Sequence, residues 1–77
     1  MENNTLLNRL EVNTKIMFGK PVIKGSRLTV VLILEKFANG YTEEQVIEAF
    51  PFLIKEDIRA SVLYAAKVLS LEENFAA

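Results

Sequence analysis

The chain has 77 residues, which is enough for one small domain and no more. It contains no cysteine and no histidine, which excludes disulfides, thiolate or imidazole metal sites, and Ser–His or Cys–His nucleophiles. The formal net charge is −1 and 51% of the residues are hydrophobic, so the composition also excludes a disordered, highly charged chain.

The first third of the chain contains short apolar pieces interrupted by turn-forming residues. Leu10–Val12 alternates apolar and polar residues, Pro21–Ile23 is a short β-branched run, and Phe18–Gly19 lies between them. This pattern predicts two short strands and a loop over residues 10–27. Residues 1–9 are polar, and we expect them to be partly disordered.

The first predicted helix covers residues 30–39. The hydroxyl of Thr29 can accept a hydrogen bond from an unpaired amide of the first turn, and Gly40 supplies the left-handed residue that ends a helix. Leu28 and Ile33 are spaced as a hydrophobic staple across the start. Apolar residues recur at i, i+3, i+4 and i+7, so one face of this helix should be buried.

The second predicted helix covers residues 43–50 and has the clearest local signals. Thr42 and Gln45 are spaced as a capping box, in which each side chain accepts a hydrogen bond from the other residue's amide. Glu43–Glu44 complement the positive end of the helix dipole. Pro51 forces the helix to end.

The third predicted helix begins near Lys55 and runs to about residue 70, with two acidic residues in its first turn. Apolar side chains occupy two opposite faces of it at 100° per residue. The predicted inward face consists of Ile58, Val62, Ala65, Ala66 and Leu69. The predicted outer face consists of Ala60, Leu63, Tyr64, Lys67 and Leu71.

Three helices with short connections predict a mostly α fold, a compact tri-helical domain with a short N-terminal β-ribbon. Residues 1–77 then form a single domain, in which residues 28–71 are a helix-turn-helix unit. The longest apolar run, residues 30–34, is too short to span a bilayer or to serve as a signal-peptide core. We therefore expect a soluble, cytoplasmic protein without a membrane partner.

A specific motif lies at Gly19–Arg27, where the sequence reads GKPVIKGSR. It is followed by Ile33–Leu34, Ala38–Gly40, Phe50–Pro51 and Asp57–Ala60. Together these motifs resemble the domain of unknown function 433 family over about residues 10–69. The chain departs from the family pattern at Asn13–Thr14, Phe18 and Ile54, where Asp–Pro, a small or polar residue, and a capping Thr or Ser are usual.

The resemblance implies a homeodomain-like or winged-helix-like fold and an antitoxin-like role. Members of the family are often encoded beside small PIN-like nucleases, so this protein would bind and block a nuclease of that type and bind its own operator DNA. The resemblance supplies no catalytic residue and no cofactor.

A DNA contact must come from local cations, because the charge is uneven. Residues 1–27 hold five basic and two acidic side chains and residues 28–77 hold four and eight, so the two parts carry +3 and −4. Strong non-specific DNA binders are usually basic throughout. The candidate DNA-binding residues are Lys20, Lys24, Arg27, Lys55 and Arg59. The alternative is that these side chains are merely solvated, and the acidic start of the third helix would repel phosphates.

The apolar outer face of the third helix predicts an interface. A domain this small gains from self-association, so we expect a homodimer or higher oligomer that buries Ala60, Leu63, Tyr64, Lys67 and Leu71. The alternative is that the N-terminal ribbon folds over this face. Two functions stay open, an antitoxin-like DNA-binding protein and an oligomeric protein-interaction module without DNA affinity. The salt dependence of DNA binding distinguishes them.

Catalysis is not expected. The single aspartate and nine glutamates stand mostly at predicted helix starts or on polar faces, and no acid–base pair is recognisable among them. No two carboxylates share a loop that suggests magnesium. We therefore predict that the protein is not an enzyme and uses no metal or cofactor.

Overall fold

Residues 3–76 are described by a computed structural model, with side chains described for residues 5–71, and they form four α-helices and one small antiparallel sheet. The elements are α1 (Asn3–Leu7), β1 (Leu10–Glu11), a 3₁₀ turn (Met17–Gly19), β2 (Val22–Ile23), α2 (Val30–Ala38), α3 (Glu43–Ala49) and α4 (Lys55–Ala76). The predicted mostly helical fold with an N-terminal ribbon is therefore confirmed.

The ribbon is short but well connected to the helices. β1 and β2 pair antiparallel with Leu10 opposite Ile23 and Glu11 opposite Val22. Both β2 side chains are buried, so the ribbon closes one side of the core. The amide of Val30 donates to the carbonyl of Pro21 at 2.9 Å, which ties β2 to the start of α2.

α2 begins and ends where the local signals predict. The Thr29 hydroxyl accepts a hydrogen bond from the Leu32 amide at 3.2 Å, and Gly40 has φ +93°, a conformation that favours glycine. Leu28 and Ile33 are both buried in the core cluster. The helix is one residue shorter than expected.

α3 has the predicted capping box. The Thr42 amide donates to Gln45 Oε1 at 2.8 Å, and the Gln45 amide donates to Thr42 Oγ1 at 3.1 Å. Phe50 caps the other end immediately before Pro51. A helix of seven residues is marginal alone, and the burial of Val46 supplies its tertiary support.

The hydrophobic core lies between the ribbon and the three longer helices. Its buried members are Ile23, Leu28, Ile33, Val46, Leu53 and Ile58. Half-buried side chains pack around them, namely Leu10, Phe37, Ile47 and Phe50. The connection between α3 and α4 takes part in the core through Leu53.

α4 starts at Lys55 although Ile54, the residue before it, has no side-chain acceptor. The Asp57 carboxylate supplies the missing interaction, because Oδ2 accepts a hydrogen bond from the Ile54 amide at 3.0 Å. This is the second half of a capping box, in which the residue at the third helical position reaches back. The departure from the family pattern at Ile54 therefore leaves the helix start intact.

The N-terminal segment contains a helix that the sequence pattern did not predict, because Asn3–Leu7 are helical and pack against α4. The expected partial disorder of residues 1–9 also covers residues 1–2, which lie outside the described residues. The leucines Leu6 and Leu7 are half-buried. The amide of Arg9 donates to the carbonyl of Leu6 at 3.0 Å and closes the helix. Helices of five residues do not persist alone, so tertiary packing supports this one.

The predicted inward face of α4 holds at Ile58, which is buried, and at Ala65, which is half-buried, but not at its other three residues. Val62 is 50% exposed and Leu69 is 56% exposed, and Ala66 is exposed as well, although all three were assigned to the inward face. On the predicted outer face, Ala60 is fully buried, which corrects its assignment to an interface. Leu63 and Tyr64 there are half-buried.

The reason is that polar residues lie on the buried side of α4. Asp57 and Ser61 are both buried, and the Ser61 hydroxyl donates to the Asp57 carbonyl at 3.0 Å. A hydrophobic pattern assigns such positions to solvent, and here specific hydrogen bonds make them internal. Lys67 and Leu71, the remaining two residues of the predicted interface, are exposed.

Candidate functional site

All five predicted DNA-binding cations are exposed. They fall into two groups, because Lys20, Lys24 and Arg27 lie around β2, whereas Lys55 and Arg59 lie on the first two turns of α4. Within the described part of the chain, none of the five forms an ion pair with a carboxylate. Their charges are therefore available to a partner.

Lys24 lies beside another cation, Arg9, that sequence analysis did not single out. The amide of Lys24 donates to the carbonyl of Arg9 at 2.9 Å. Together with Thr5 and Asn8, the two side chains line an open surface pocket of about 350 Å³. Two cationic side chains therefore lie at the wall of this pocket.

Arg9 is engaged by the buried carboxylate of Asp57. Its Nε donates to Asp57 Oδ1 at 2.5 Å, with 41% of the Arg9 side chain still exposed. The hydrogen bond that Arg9 donates to Asp57 raises the pKa of Arg9 and the negative charges of Asp57 and Glu56 raise it further, whereas partial desolvation opposes the shift. The guanidinium therefore stays charged, and its first role is to pair Asp57.

Arg27 lies beside a second, smaller pocket. A cavity of about 220 Å³ is lined by Glu11, Ile16, Gly25, Ser26 and Arg27. The turn that carries Arg27 is held by the Ser26 hydroxyl, which donates to the Ile23 carbonyl at 2.8 Å and accepts from the Leu28 amide at 3.1 Å. Gly25 adopts φ +81°. These contacts explain why glycine and serine occupy positions 25 and 26 of the sequence motif: Gly25 adopts the left-handed conformation and Ser26 holds the turn.

The 3₁₀ turn presents the most exposed apolar side chain described. Phe18 is 95% exposed and has φ +58°, and Met17 before it has φ +48°. A left-handed conformation costs a non-glycine residue roughly 1–2 kcal/mol, so two in succession store strain. Sequence analysis predicted a turn here, but nothing in the local pattern indicated that the phenylalanine would be its outermost residue.

The tip around Phe18 is basic and ordered by backbone hydrogen bonds. The amide of Gly19 donates to the Ile16 carbonyl, and the amide of Lys20 donates to the Met17 carbonyl, both at 3.1 Å. Lys15 and Lys20 on either side are exposed. The turn thus carries one exposed aromatic side chain, with an exposed lysine before and after it in the sequence.

Metal binding and membrane insertion are two other properties to consider for the described residues. No group of three or more carboxylates in the described part of the chain is arranged to hold a metal ion. None of the helices, as far as they are described, combines the length and apolarity needed to cross a bilayer.

The class of protein is therefore a small, mostly helical domain that exposes several cations and one aromatic side chain. Its family follows from the comparison with known proteins. The family described as "Protein of unknown function (DUF433)" matches residues 10–65, and the chain belongs to this family, as its motifs indicated.

One curated relative is itself without an assigned activity. The chain is 38% identical over 50 residues to the uncharacterized protein y4eO of Sinorhizobium fredii (strain NBRC 101917 / NGR234). The match covers 65% of this chain and 23% of the relative, so the chain spans about a quarter of that protein. No solved structure matches the chain, and the homeodomain-like or winged-helix-like fold stays a prediction.

Proposed function

We propose that the chain is an antitoxin-like binding protein without catalytic activity, that its partner is a PIN-like nuclease in the cytoplasm, and that the turn at Phe18 carries the central contact. The observation that carries this proposal is the exposed aromatic side chain in a left-handed backbone conformation. The resemblance to the DUF433 family supplies the kind of partner.

Phe18 has the properties of a binding anchor. Its side chain makes little contact with its own chain, so its exposure and its backbone strain are both unfavourable in the free protein. A partner with an apolar pocket would bury the whole aromatic ring and so gain the favourable free energy of removing it from water. Buried aromatic side chains are the usual centre of a binding hot spot. Because the turn is already ordered, little conformational entropy is lost on binding.

The charges around Phe18 define the rim of the partner's pocket. Lys15 and Lys20 are exposed and lie within three positions of Phe18 in the sequence, so we expect the complementary pocket to be apolar at its base and acidic at its edge. Such rim charges mainly accelerate association and lose that effect as salt screens them. We therefore expect association with the nuclease to slow as the salt concentration rises.

The test is co-expression with the protein encoded by the neighbouring gene, which this proposal expects to be a PIN-like nuclease, followed by co-purification and a binding titration. Phe18→Ala should weaken binding by about 30-fold, the effect of losing one hot-spot residue, and should relieve inhibition of the nuclease. Thermal stability should stay within about 0.5 kcal/mol of the wild type, as for other exposed positions.

Phe52→Ala is the matched control, since Phe52 is also an exposed phenylalanine, at 56%, in the connection before α4. It should bind like the wild type. The proposal is wrong if the nuclease fails to co-purify with the wild type, or if Phe18→Ala and Phe52→Ala bind equally well.

Operator DNA is the second candidate partner, and the exposed, unpaired cations favour it. In a homeodomain-like or winged-helix-like arrangement, α3 and α4 would be the helix-turn-helix and Lys55 and Arg59 would face the groove. Lys20, Lys24 and Arg27 would contact phosphates. The exposed Glu56 beside Lys55 opposes this arrangement.

Salt dependence tests the DNA contact. In mobility-shift titrations on the DNA upstream of the gene, each phosphate contact contributes about 0.9 to the slope of log K against log salt. Lys20, Lys24 and Arg27 should be substituted together with Gln, which removes their charges. The magnitude of the slope should then fall by the contribution of roughly three phosphate contacts. Lys67→Gln is the control and should leave the slope unchanged. If the DNA does not shift at low salt, with or without the nuclease, the DNA contact is excluded. The alternative, a protein-interaction module without DNA affinity, then remains.

A further inference from the structure

Two cations are held side by side at the end of the ribbon. Arg9 and Lys24 are the next positions after the pair of Leu10 and Ile23 in the antiparallel register, and the Lys24 amide donates a hydrogen bond to the Arg9 carbonyl at 2.9 Å. Opposite residues of an antiparallel pair project their side chains on the same face, where like charges are destabilising. An anion bound between the two side chains would relieve this repulsion.

A buried carboxylate holds Arg9 in position. Asp57 is 2% exposed, and its two oxygens accept hydrogen bonds from Arg9 Nε and from the Ile54 amide. Within the described part of the chain, the two terminal nitrogens of Arg9 donate no hydrogen bond. The N–H groups of those nitrogens therefore remain for a ligand. Because the guanidinium is already oriented, it loses little conformational freedom on binding.

The rest of the pocket supplies further hydrogen-bond donors. Thr5 and Asn8 lie beside Arg9 and Lys24 in its lining, and we name this site the Arg9–Lys24 pocket. A hydroxyl and a carboxamide can each donate a hydrogen bond to an anion. None of the described lining residues is a carboxylate.

The charges around the pocket leave it positive. Asp57 and Glu56 both act on Arg9 from α4, but neither lines the pocket. The oxygens of Asp57 are already paired, and Glu56 is exposed to solvent, where salt screens its charge. Lys24 forms no ion pair with a carboxylate among the described side chains, so its charge is not balanced within the site.

We propose that the Arg9–Lys24 pocket binds one phosphate group. The planar fork of an arginine matches two phosphate oxygens, and a lysine ammonium acts as a point charge on the same group. The volume of about 350 Å³ is at the small end of ligand pockets, which suits a phosphate and part of the molecule that carries it. A free phosphorylated small molecule and a nucleic-acid backbone present this same chemistry.

The inference does not rest on the nuclease contact, because Phe18 is not among the residues of this pocket. It shares Lys24 with the candidate DNA contact. Inorganic phosphate is therefore the first probe, since it can bind whether or not operator DNA does. If phosphate binds and the upstream DNA does not shift, the pocket stands and the operator contact fails.

A titration of the full chain with inorganic phosphate at constant ionic strength, followed by amide NMR signals, tests the pocket. The amide signals of Thr5, Asn8, Arg9 and Lys24 should shift together along one saturable curve. Lys24→Gln should weaken phosphate binding by about tenfold, since it removes a charge-assisted hydrogen bond. Lys20→Gln is the matched control and should bind like the wild type, because Lys20 is an exposed lysine that does not line the pocket.

A charge inserted into the pocket is the second test. Asn8→Asp preserves the shape of the side chain and should weaken phosphate binding by at least about tenfold, because it places a negative charge beside the anion. Asn39→Asp is the matched control, since Asn39 is also an exposed asparagine that directly follows a helix. Arg9→Lys keeps the charge but removes the fork and should weaken binding by about fivefold. Circular dichroism confirms that each variant is folded.

Two further probes distinguish the sources of the phosphate. For a free ligand, adenosine 5′-monophosphate should bind more tightly than inorganic phosphate, and Asn8→Asp should leave the binding of a short DNA duplex unchanged. For a nucleic-acid backbone, Asn8→Asp should weaken duplex binding and Asn39→Asp should not. The proposal is overturned if phosphate shifts none of the four amide signals, or if either substitution in the pocket binds phosphate as well as its matched control.

Discussion

At the scale of single residues, Asp57 connects the most distant parts of the chain. Its carboxylate accepts the Ile54 amide, which starts α4, and pairs with Arg9, which lies 48 positions earlier. Asp57 is buried, and a buried carboxylate persists only when its oxygens are paired. The pair therefore defines which side of α4 faces α1.

We expect Arg9→Met to destabilise the fold because it leaves one oxygen of Asp57 without its partner. A buried acceptor left unsatisfied costs about 1–3 kcal/mol, and the partial exposure of Arg9 places the expected loss near the lower end. Chemical denaturation measures it. Lys24→Met, at the neighbouring cation, is the control and should stay within about 0.5 kcal/mol.

The pH dependence of the same pair follows from the raised pKa of Arg9. A raised pKa in the folded state stabilises the fold at every pH below the ordinary arginine value, and that stabilisation is lost only as pH rises through the raised value. The difference between wild type and Arg9→Met should thus stay constant from neutral to moderately alkaline pH. A difference that disappears within that range would contradict the assigned pair.

At the scale of the elements, local hydrogen bonds determine where α2 and α3 begin. Thr29 caps one and the pair Thr42 and Gln45 caps the other, as their spacing predicts. α4 differs, because its cap comes from the carboxylate of Asp57, whose other partner, Arg9, lies in the turn between α1 and β1. Its orientation therefore depends on tertiary contacts rather than on its own pattern.

Thr42→Ala tests how far α3 depends on its cap. The substitution removes the hydroxyl that accepts the Gln45 amide and should cost about 1 kcal/mol, which lowers Tm by roughly 4–8 °C in a domain of this size. Thr14→Ala, at an exposed threonine of the N-terminal loop, should leave Tm nearly unchanged. Equal Tm values for the two variants would show that the capping box contributes nothing measurable.

At the scale of the whole molecule, the charge is divided between two parts of the chain. The basic first third carries the strained turn at Phe18, and the acidic remainder carries the three longer helices. A molecule that contacts the Phe18 turn therefore approaches a locally basic surface, although the net charge of the whole chain is −1.

The sequence alone determined those features whose interacting groups lie within a few residues of one another in the chain. The ribbon at Leu10 and Ile23, the helix ends at Thr29 and Gly40, and the motif of the DUF433 family were all readable. Caps and turns are formed by groups three or four positions apart, so the information is present in the local sequence.

Only the tertiary structure decided which face of α4 is buried, that α1 forms, and that Phe18 points into solvent. The buried side of α4 contains Asp57 and Ser61, and burial of such polar groups becomes favourable only when partners are positioned to satisfy them. The decisive partner, Arg9, is distant in sequence and adjacent in space. A hydrophobic period measures the average preference of side chains for water, and it contains no information about such specific pairs.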